Sequence, residues 1–239
     1  MQKTIALKLT PSEVASQPVL LNAISQAIAE PSSNILGFHI LKQSIDARSR
    51  QQVWINLSIL AFINEPPSQR FISPIHFQVL PKNAKEVIII GAGPAGLFCS
   101  LRLAEYGIPS LIFERGEKAT DRMKKISKYW RKGDLDTENN VCYGEGGAGL
   151  FSDGKLITRI KSKFIDYVMN KFVELGAPKE VAYQANPHLG SNKIRLLIGK
   201  LTDQLKNKNC VIYYQSRVEG LLFDKKNFNS WGCSANYVR

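Results

Sequence analysis

The hydrophobic pattern of the first 64 residues changes from that of a strand to that of a helix and back again. Apolar and polar residues alternate over residues 5–9, as they do in a half-buried strand. Residues 10–12 break this strand, a helical periodicity follows, and Pro18 is well placed at the start of the helix. Residues 35–45 and 52–63 then have the composition of two further strands. The pattern predicts a small β-α-β-β unit of the α+β type over residues 1–64.

A different pattern begins at residue 87. A continuous apolar run over residues 87–90 predicts a buried parallel strand, because both faces of such a strand are covered. A glycine-rich turn, residues 91–96, is followed by an amphipathic segment that extends to about Tyr106. A second apolar run, residues 110–113, completes the unit. The order strand, helix, strand predicts a β-α-β unit and therefore the α/β class.

Each glycine of the turn has a position that dinucleotide binding requires. Gly91 allows a tight turn, Gly93 lets the backbone approach a pyrophosphate, and Gly96 lets the helix pack closely on the strand. The start of the helix offers free N–H groups and the positive end of its dipole to phosphates. Glu114 lies 18 residues after Gly96, where its carboxylate can accept hydrogen bonds from a ribose diol and repel a 2′-phosphate. The pattern predicts a Rossmann-like dinucleotide site for FAD or NAD, with a purely structural turn as the alternative.

A second glycine-rich stretch, GEGGAG, occupies residues 144–149. Four glycines and one alanine among six residues leave few side chains on this part of the backbone. Main-chain N–H groups can then reach a flat isoalloxazine ring or a pyrophosphate. We predict that this stretch contributes to the cofactor site, and a flexible surface loop is the alternative.

The rest of the chain predicts three helices, at residues 122–133, 164–176 and 191–205, and a strand at residues 211–214. Prolines and polar residues from Asn64 onward predict a linker. The predicted organisation is a small α+β domain (1–64), a linker (65–84) and a Rossmann-type domain (85–239).

Composition narrows the functional classes. No segment approaches the roughly 20 apolar residues of a membrane span. The N-terminal segment lacks the apolar core of a secretory signal, so we expect a cytoplasmic protein. The four cysteines, Cys99, Cys142, Cys210 and Cys233, have neither the spacing of a metal site nor that of a redox pair. We therefore expect no metal and no disulfide framework.

The formal charge of +12 admits nucleic acid as a partner. The basic residues are, however, spread along the chain, and the densest run, residues 124–132, also contains Tyr129 and Trp130. We therefore favour a basic surface that attracts an anionic cofactor, or a charge balance altered by missing sequence, over nucleic-acid binding.

Several stretches together resemble a known group of proteins. The likeness is to an uncharacterised family of bacterial FAD-dependent dehydrogenases, which are glutathione-reductase-like flavoproteins. The stretches that resemble this family are VIIIGAGPAGLFCSLRLAEYGI, LIFERG, NNVCYGEGGAGLFSDGKLITR and NPHLGSNK. The first unit, with its SIDARSR turn, also resembles the extra N-terminal α/β domain of that family, so the likeness covers about residues 1–225. The resemblance implies FAD rather than NAD, with Gly91, Gly93, Gly96 and Glu114 on its adenosine diphosphate half.

The same family position implies that the backbone of Val218 bonds the adenine. The candidate cofactor-binding residues are Gly91, Ala92, Gly93, Pro94, Ala95, Gly96, Glu114, Arg115, Gly146, Gly147, Ala148, Gly149 and Val218.

The C-terminal part departs from the family. Members continue into a β-rich substrate region and a return segment that supplies the last strand of the FAD sheet and a further glycine motif. Here the tail reads LLFDKKNFNSWGCSANYVR, whose last dozen residues fit neither that pattern nor any periodic element. We therefore expect a truncated member whose Rossmann-like domain is partial, with a shifted reading frame near Asn227 as one explanation.

The resemblance implies an FAD-binding oxidoreductase of the dehydrogenase type that transfers a hydride through flavin N5, with NADH or NADPH as a possible electron donor. The catalytic candidates are His188, Arg159 and Cys142, and each has a structural role as its alternative. Asp153, Lys155 and Arg159 are candidates for contacts with the flavin ring carbonyls or an acidic substrate, with a solvated turn as the alternative. The alternatives are an inactive nucleotide-binding or interaction fragment and a basic flavoprotein acting on nucleic acid. The sequence identifies neither the substrate nor the oligomeric state.

Overall fold

The computed structural model describes residues 1–68, 86–162 and 164–220, and the backbone of two short strands at 222–223 and 233–234. Most of the predicted linker and most of the C-terminal tail, including the side chain of Cys233, lie outside the described residues. The elements in chain order are β1 (Gln2–Leu9), α1 (Pro11–Ala15), α2 (Gln17–Ile28), β2 (Ile35–Asp46), β3 (Trp54–Ile63), β4 (Val87–Ile90), α3 (Pro94–Glu105), β5 (Ser110–Phe113), α4 (Ala119–Lys132), α5 (Phe164–Glu174), α6 (Ser191–Lys206), β6 (Val211–Tyr213), β7 (Leu222–Phe223) and β8 (Cys233–Ser234).

Contacts divide the chain into two compact units. The first comprises Met1–Pro74, Ile157–Glu174 and Pro178–Pro187, and the second comprises Ile75–Leu156, Leu175–Ala177 and His188–Arg239. This division differs from the predicted boundaries, which placed every residue from 85 onward in one domain. The difference has a local cause in the first unit: the N–H of Gln43 donates to the carbonyl of Tyr183 at 3.0 Å, and the N–H of Ala185 donates to the carbonyl of Gln43 at 2.8 Å. These bonds attach the segment after α5 to the edge of β2.

The first unit contains an antiparallel sheet in the order β1-β3-β2. Successive strand residues point to opposite faces, so alternate residues of β3 lie on the face that carries the core. This face packs against α2, and the cluster consists of Leu20, Ile24, Ile28, Ile35, Ile55, Leu57, Ile59, Ala61 and Ile63. The alternation that predicted these strands therefore also identifies the core.

The short helix α1 lies where the sequence predicted only a break in the chain. It begins with a capping box: the N–H of Glu13 donates to Thr10 Oγ1 at 3.3 Å, and the N–H of Thr10 donates to Glu13 Oε2 at 2.7 Å. Pro11 at the first helical position favours the same start.

The turn after β2 contains an ion pair that makes a testable prediction about pH. Asp46 accepts hydrogen bonds from Arg48 Nε at 2.8 Å and Nη2 at 2.7 Å, and these bonds lower the pKa of Asp46 to about 2. The pKa in the folded state is lower than the ordinary value of about 3.9. The contribution of this ion pair to the free energy of unfolding is therefore fully present at pH values above about 3.9. It is lost as the pH falls through about 2.

An NMR titration of Asp46 should therefore give a pKa of about 2. In Arg48→Gln the pKa should return toward about 3.9, because the hydrogen bonds from the guanidinium, which lower the pKa most, are gone. The neighbouring Arg50→Gln should leave the pKa unchanged and is the matched control. A normal pKa for Asp46 in the unsubstituted protein would contradict this prediction.

The second unit contains a parallel sheet in the order β4-β5-β6. Ile89, Ile112 and Ile212 are aligned across the three strands, and all three are buried. Helix α6 packs on α3 and β6. The carboxyl ends of parallel strands meet at one edge, so the segments that follow β4, β5 and β6 lie close together. The predicted mixed α/β class with a parallel sheet is confirmed.

Within the described residues, no helix combines the length and apolar character that a membrane crossing requires.

Candidate functional site

The first glycine turn has the geometry that its sequence predicts. Gly91 has a φ of +97°, a backbone conformation that side chains disfavour. A Cβ on Gly96 would lie 2.0 Å from the carbonyl oxygen of Gly91, so the start of α3 touches the end of β4. At Gly93 an added Cβ would meet no atom of the described residues within 4 Å, which leaves space over the turn. In the same part of the structure no side chain caps α3, so its first N–H groups can donate to a ligand.

The second glycine stretch contacts this turn directly. The N–H of Gly146 donates to the carbonyl of Ala92 at 2.9 Å. A Cβ on Gly147 would lie 2.8 Å from Cδ of Pro94, so only glycine allows this approach. Residues 144–147 are buried, whereas Ala148 and Gly149 are exposed beside them. The structure thus brings together two motifs that the sequence separates by about fifty residues.

Glu114 directly follows β5, and its buried side chain accepts a hydrogen bond from the first glycine turn. Its Oε2 accepts the N–H of Ala92 at 2.8 Å, and its Oε1 accepts the N–H of Gly116 at 2.8 Å. Each carboxylate oxygen has a second lone pair that it can offer to another donor. The contact with a ribose diol stays a prediction, and the bonds to the protein are an additional role that the sequence did not indicate.

Arg122, in the first turns of α4, is fully buried beneath the second glycine stretch. Its guanidinium donates to the carbonyl of Tyr143, to that of Glu145 at 3.0 Å and to that of Gly147 at 3.5 Å. It also lies 4.8 Å from the ring centroid of Phe151. Burial lowers the pKa of Arg122, because desolvation disfavours the charged form.

Glu145 is the one charged residue of the GEGGAG stretch, and it is 1% exposed. Its Oε2 accepts the N–H of Ala119, the first residue of α4, at 2.6 Å. Its Oε1 accepts the hydroxyl of Tyr214, which directly follows β6, at 2.5 Å. Burial, followed by the charge of Glu145, raises the pKa of Tyr214. One carboxylate therefore links the glycine stretch to a helix and to the sheet.

A cavity of about 370 Å³ lies beyond the carboxyl ends of β5 and β6. Arg115 donates to Glu138 Oε1 at 2.7 Å, and this bond lowers the pKa of Glu138. Val218, which is half-buried, directly follows one of the lining residues. The lining residues are Arg115, Glu117, Lys125, Asp136, Glu138, Asn139, Gln215 and Arg217.

Within the second unit, His188 contacts the segment that follows the second glycine stretch. His188 Nε2 lies 2.6 Å from the carbonyl oxygen of Asp153, and Lys155 Nζ lies 2.9 Å from Asp153 Oδ2. The side chains of all three are exposed. Cys142 is an exposed free cysteine, and Arg159 is exposed and belongs to the first compact unit. Catalytic roles for His188, Arg159 and Cys142 stay predictions.

The densest basic run lies on α4, which begins at Ala119 rather than at the predicted Arg122. Three lysines of this run form ion pairs: Lys124 with Asp121, Lys125 with Glu117 and Asp136, and Lys128 with Asp134. The run is therefore not a uniformly positive surface.

Sequence reasoning did not identify Arg122, Glu145 and Tyr214 as parts of the site. A charged residue between glycines was the available signal for Glu145, but a solvated loop accommodates a glutamate as well, so the signal was not specific. Arg122 has no such signal, since it looks like one more residue of a basic helix. Tyr214 was read only as the end of a strand.

Comparison with known proteins supports a cofactor site in this part of the chain. The family model described as "FAD binding domain" matches residues 84–126, which include β4, α3 and β5. The family model described as "Domain of unknown function (DUF8436)" matches residues 1–62. An "Uncharacterized protein" of Clostridium beijerinckii is 30% identical over 220 residues. The match covers 86% of this chain and 41% of the relative, so the chain spans about two fifths of the length of this curated relative.

Proposed function

We propose that the second unit binds FAD as part of a flavin oxidoreductase of the dehydrogenase type, with NADH or NADPH as the electron donor. The observation that carries this proposal is the direct contact between the two glycine motifs at Gly146 and Ala92. A structural turn alone has no need of a second glycine-rich segment packed against it. The match of residues 84–126 to an FAD-binding family supports FAD over NAD.

The residues of the turn suit a diphosphate. Open space over Gly93 would admit phosphate oxygens, and the uncapped start of α3 would supply N–H donors and a positive dipole. The buried positive charge of Arg122 lies nearby, within hydrogen-bonding distance of the second glycine stretch. These features all favour an anionic group at this place.

The two ends of the cofactor would be held by different segments. The cavity lined by Arg115, Gln215 and Arg217 would take the adenosine end, next to Glu114 and Val218. The exposed backbone of Ala148 and Gly149 would face the ribityl and flavin end. Bound FAD would supply a hydride acceptor at N5, while the protein positions it and limits access of water.

The decisive experiment compares FAD binding by the unsubstituted chain and by Gly93→Ala, followed through flavin absorbance and fluorescence. Gly93 has a φ of −65° and free space for a Cβ, so alanine should destabilise the fold by less than about 1 kcal/mol. The added methyl group would nevertheless occupy the space of the phosphates. We expect FAD affinity to fall at least about tenfold, a loss of about 1.4 kcal/mol.

Gly199→Ala in α6 is the matched control, because an added Cβ there also has no neighbour within 4 Å among the residues that the structure describes. It should leave FAD affinity unchanged. Absence of FAD uptake by the unsubstituted chain, or equal affinity in Gly93→Ala, would overturn the proposal. Bleaching of bound FAD by NADH or NADPH would test the electron donor.

A further inference from the structure

The second glycine stretch has a conformation that its own residues do little to stabilise. Gly144, Gly146 and Gly147 all have positive φ angles, between 71° and 105°. Glycine loses more conformational freedom on ordering than any other residue, and it has no side chain to pack. Contacts from outside the stretch must therefore impose its shape before a ligand arrives.

Glu145 supplies two such contacts through one buried carboxylate. Its oxygens accept the N–H of Ala119 at 2.6 Å and the hydroxyl of Tyr214 at 2.5 Å. A buried carboxylate is costly unless its oxygens are hydrogen-bonded, so both donors are needed to keep it in place. Gly146, the next residue, then donates its N–H to Ala92 in the first turn.

We propose that Glu145 is a positioning residue: held by Ala119 and Tyr214, it fixes the second glycine stretch against the first turn, so that the flavin cradle is formed before FAD binds. The role toward FAD rests on the proposed function, whereas the order of the stretch is a property of the protein without ligand. Binding to a preformed site avoids the entropy cost of ordering a glycine-rich segment. Loss of the hydrogen bonds that Glu145 accepts from Ala119 and Tyr214 should therefore weaken cofactor binding.

Tyr214→Phe tests this inference, since it removes one hydroxyl and preserves the ring. Loss of one hydrogen bond to a charged group typically changes an equilibrium constant by about tenfold or more. In the protein without FAD we expect the amides of Gly146 and Gly147 to exchange about tenfold faster in Tyr214→Phe. The dissociation constant for FAD should rise by a similar factor.

Two substitutions of Glu145 should reduce the protection of the Gly146 and Gly147 amides to different extents. Glu145→Gln keeps one acceptor oxygen, and it should therefore restore part of the protection that Glu145→Ala loses. Tyr129→Phe, at an exposed tyrosine of α4, is the control and should change neither amide exchange nor FAD affinity.

The readouts separate positioning from general stability. If Glu145 had a purely structural role, its substitution would lower the free energy of unfolding. The amide exchange rates of Gly146 and Gly147 would then rise only as much as those of the other residues of the second unit. That result, or unchanged exchange in Tyr214→Phe, would overturn the inference. If exchange rises and the unsubstituted chain binds no FAD, the proposed function fails, whereas Glu145 still positions the stretch.

Discussion

Substituting alanine for Gly96 is expected to destabilise the second unit more than any other single substitution considered. The new Cβ would lie 2.0 Å from the carbonyl oxygen of Gly91 and 3.2 Å from Cγ2 of Ile89. The first of these atoms belongs to the backbone of a tight turn, so it cannot move aside as a flexible side chain can. We expect a loss of at least about 3 kcal/mol, because the strand, the turn and the helix would have to separate. Whole domains have only about 5–15 kcal/mol of stability.

Denaturant unfolding followed by circular dichroism would measure this loss. Gly93→Ala is the matched control, since it adds the same methyl group three residues away, where none of the described residues has an atom within 4 Å. The pair therefore separates two roles of one motif. Gly96 should affect folding, and Gly93 should affect binding. An unfolding midpoint for Gly96→Ala equal to that of the unsubstituted chain would contradict this prediction.

The sequence predicted the first glycine turn well because its signals are local. A strand, a glycine triplet, a helix and an acidic residue follow one another within about thirty residues, and β4, α3 and β5 lie where the pattern placed them. The contact between Ala92 and Gly146 was not predictable in the same way. It joins segments far apart in the chain, and periodicity carries no information about such pairs.

The division into compact units also depends on contacts between distant segments, which the sequence pattern does not reveal. The pairing of Gln43 with Gln184 attaches a late segment to an early strand, and neither residue belongs to a recognisable motif. Local chemistry was also missed where it competed with another signal. Thr10 and Pro11 suggested a break between elements, whereas together with Glu13 they begin a helix.

Burial of charge is the feature that the sequence concealed most completely. Arg122 stands among exposed lysines of a basic helix, yet it is fully buried. Its neighbours three and four residues toward the helix ends, Ala119 and Ile126, are buried as well, so it lies on the inner face of α4. From the charge pattern of the sequence, Arg122 is expected to be exposed to solvent. Only the fold shows that its guanidinium donates hydrogen bonds to the backbone of the glycine stretch.

Arg122→Met is therefore expected to be the second most damaging substitution. Methionine fills much of the same volume, but it leaves the carbonyls of Tyr143, Glu145 and Gly147 without their donor. Each buried acceptor left unsatisfied costs about 1–3 kcal/mol. Removing a desolvated charge recovers part of this loss, and the lowered pKa of Arg122 indicates that burial of the charge is itself unfavourable. We expect a net loss of about 2–4 kcal/mol in the free energy of unfolding.

Arg122→Lys distinguishes the geometry of the guanidinium from its charge. Lysine keeps the charge, but its single ammonium cannot reproduce the planar fork that serves several carbonyls and lies against the ring of Phe151. The lysine variant should therefore also be destabilised, and FAD affinity should fall with it. Arg131→Met, on the exposed side of the same helix, is the control and should change the free energy of unfolding by less than about 0.5 kcal/mol. If Arg122→Lys proved as stable as the unsubstituted chain, the positive charge alone would account for the contribution of Arg122 to stability. The prediction that the hydrogen bonds from the guanidinium stabilise the glycine stretch would then be wrong.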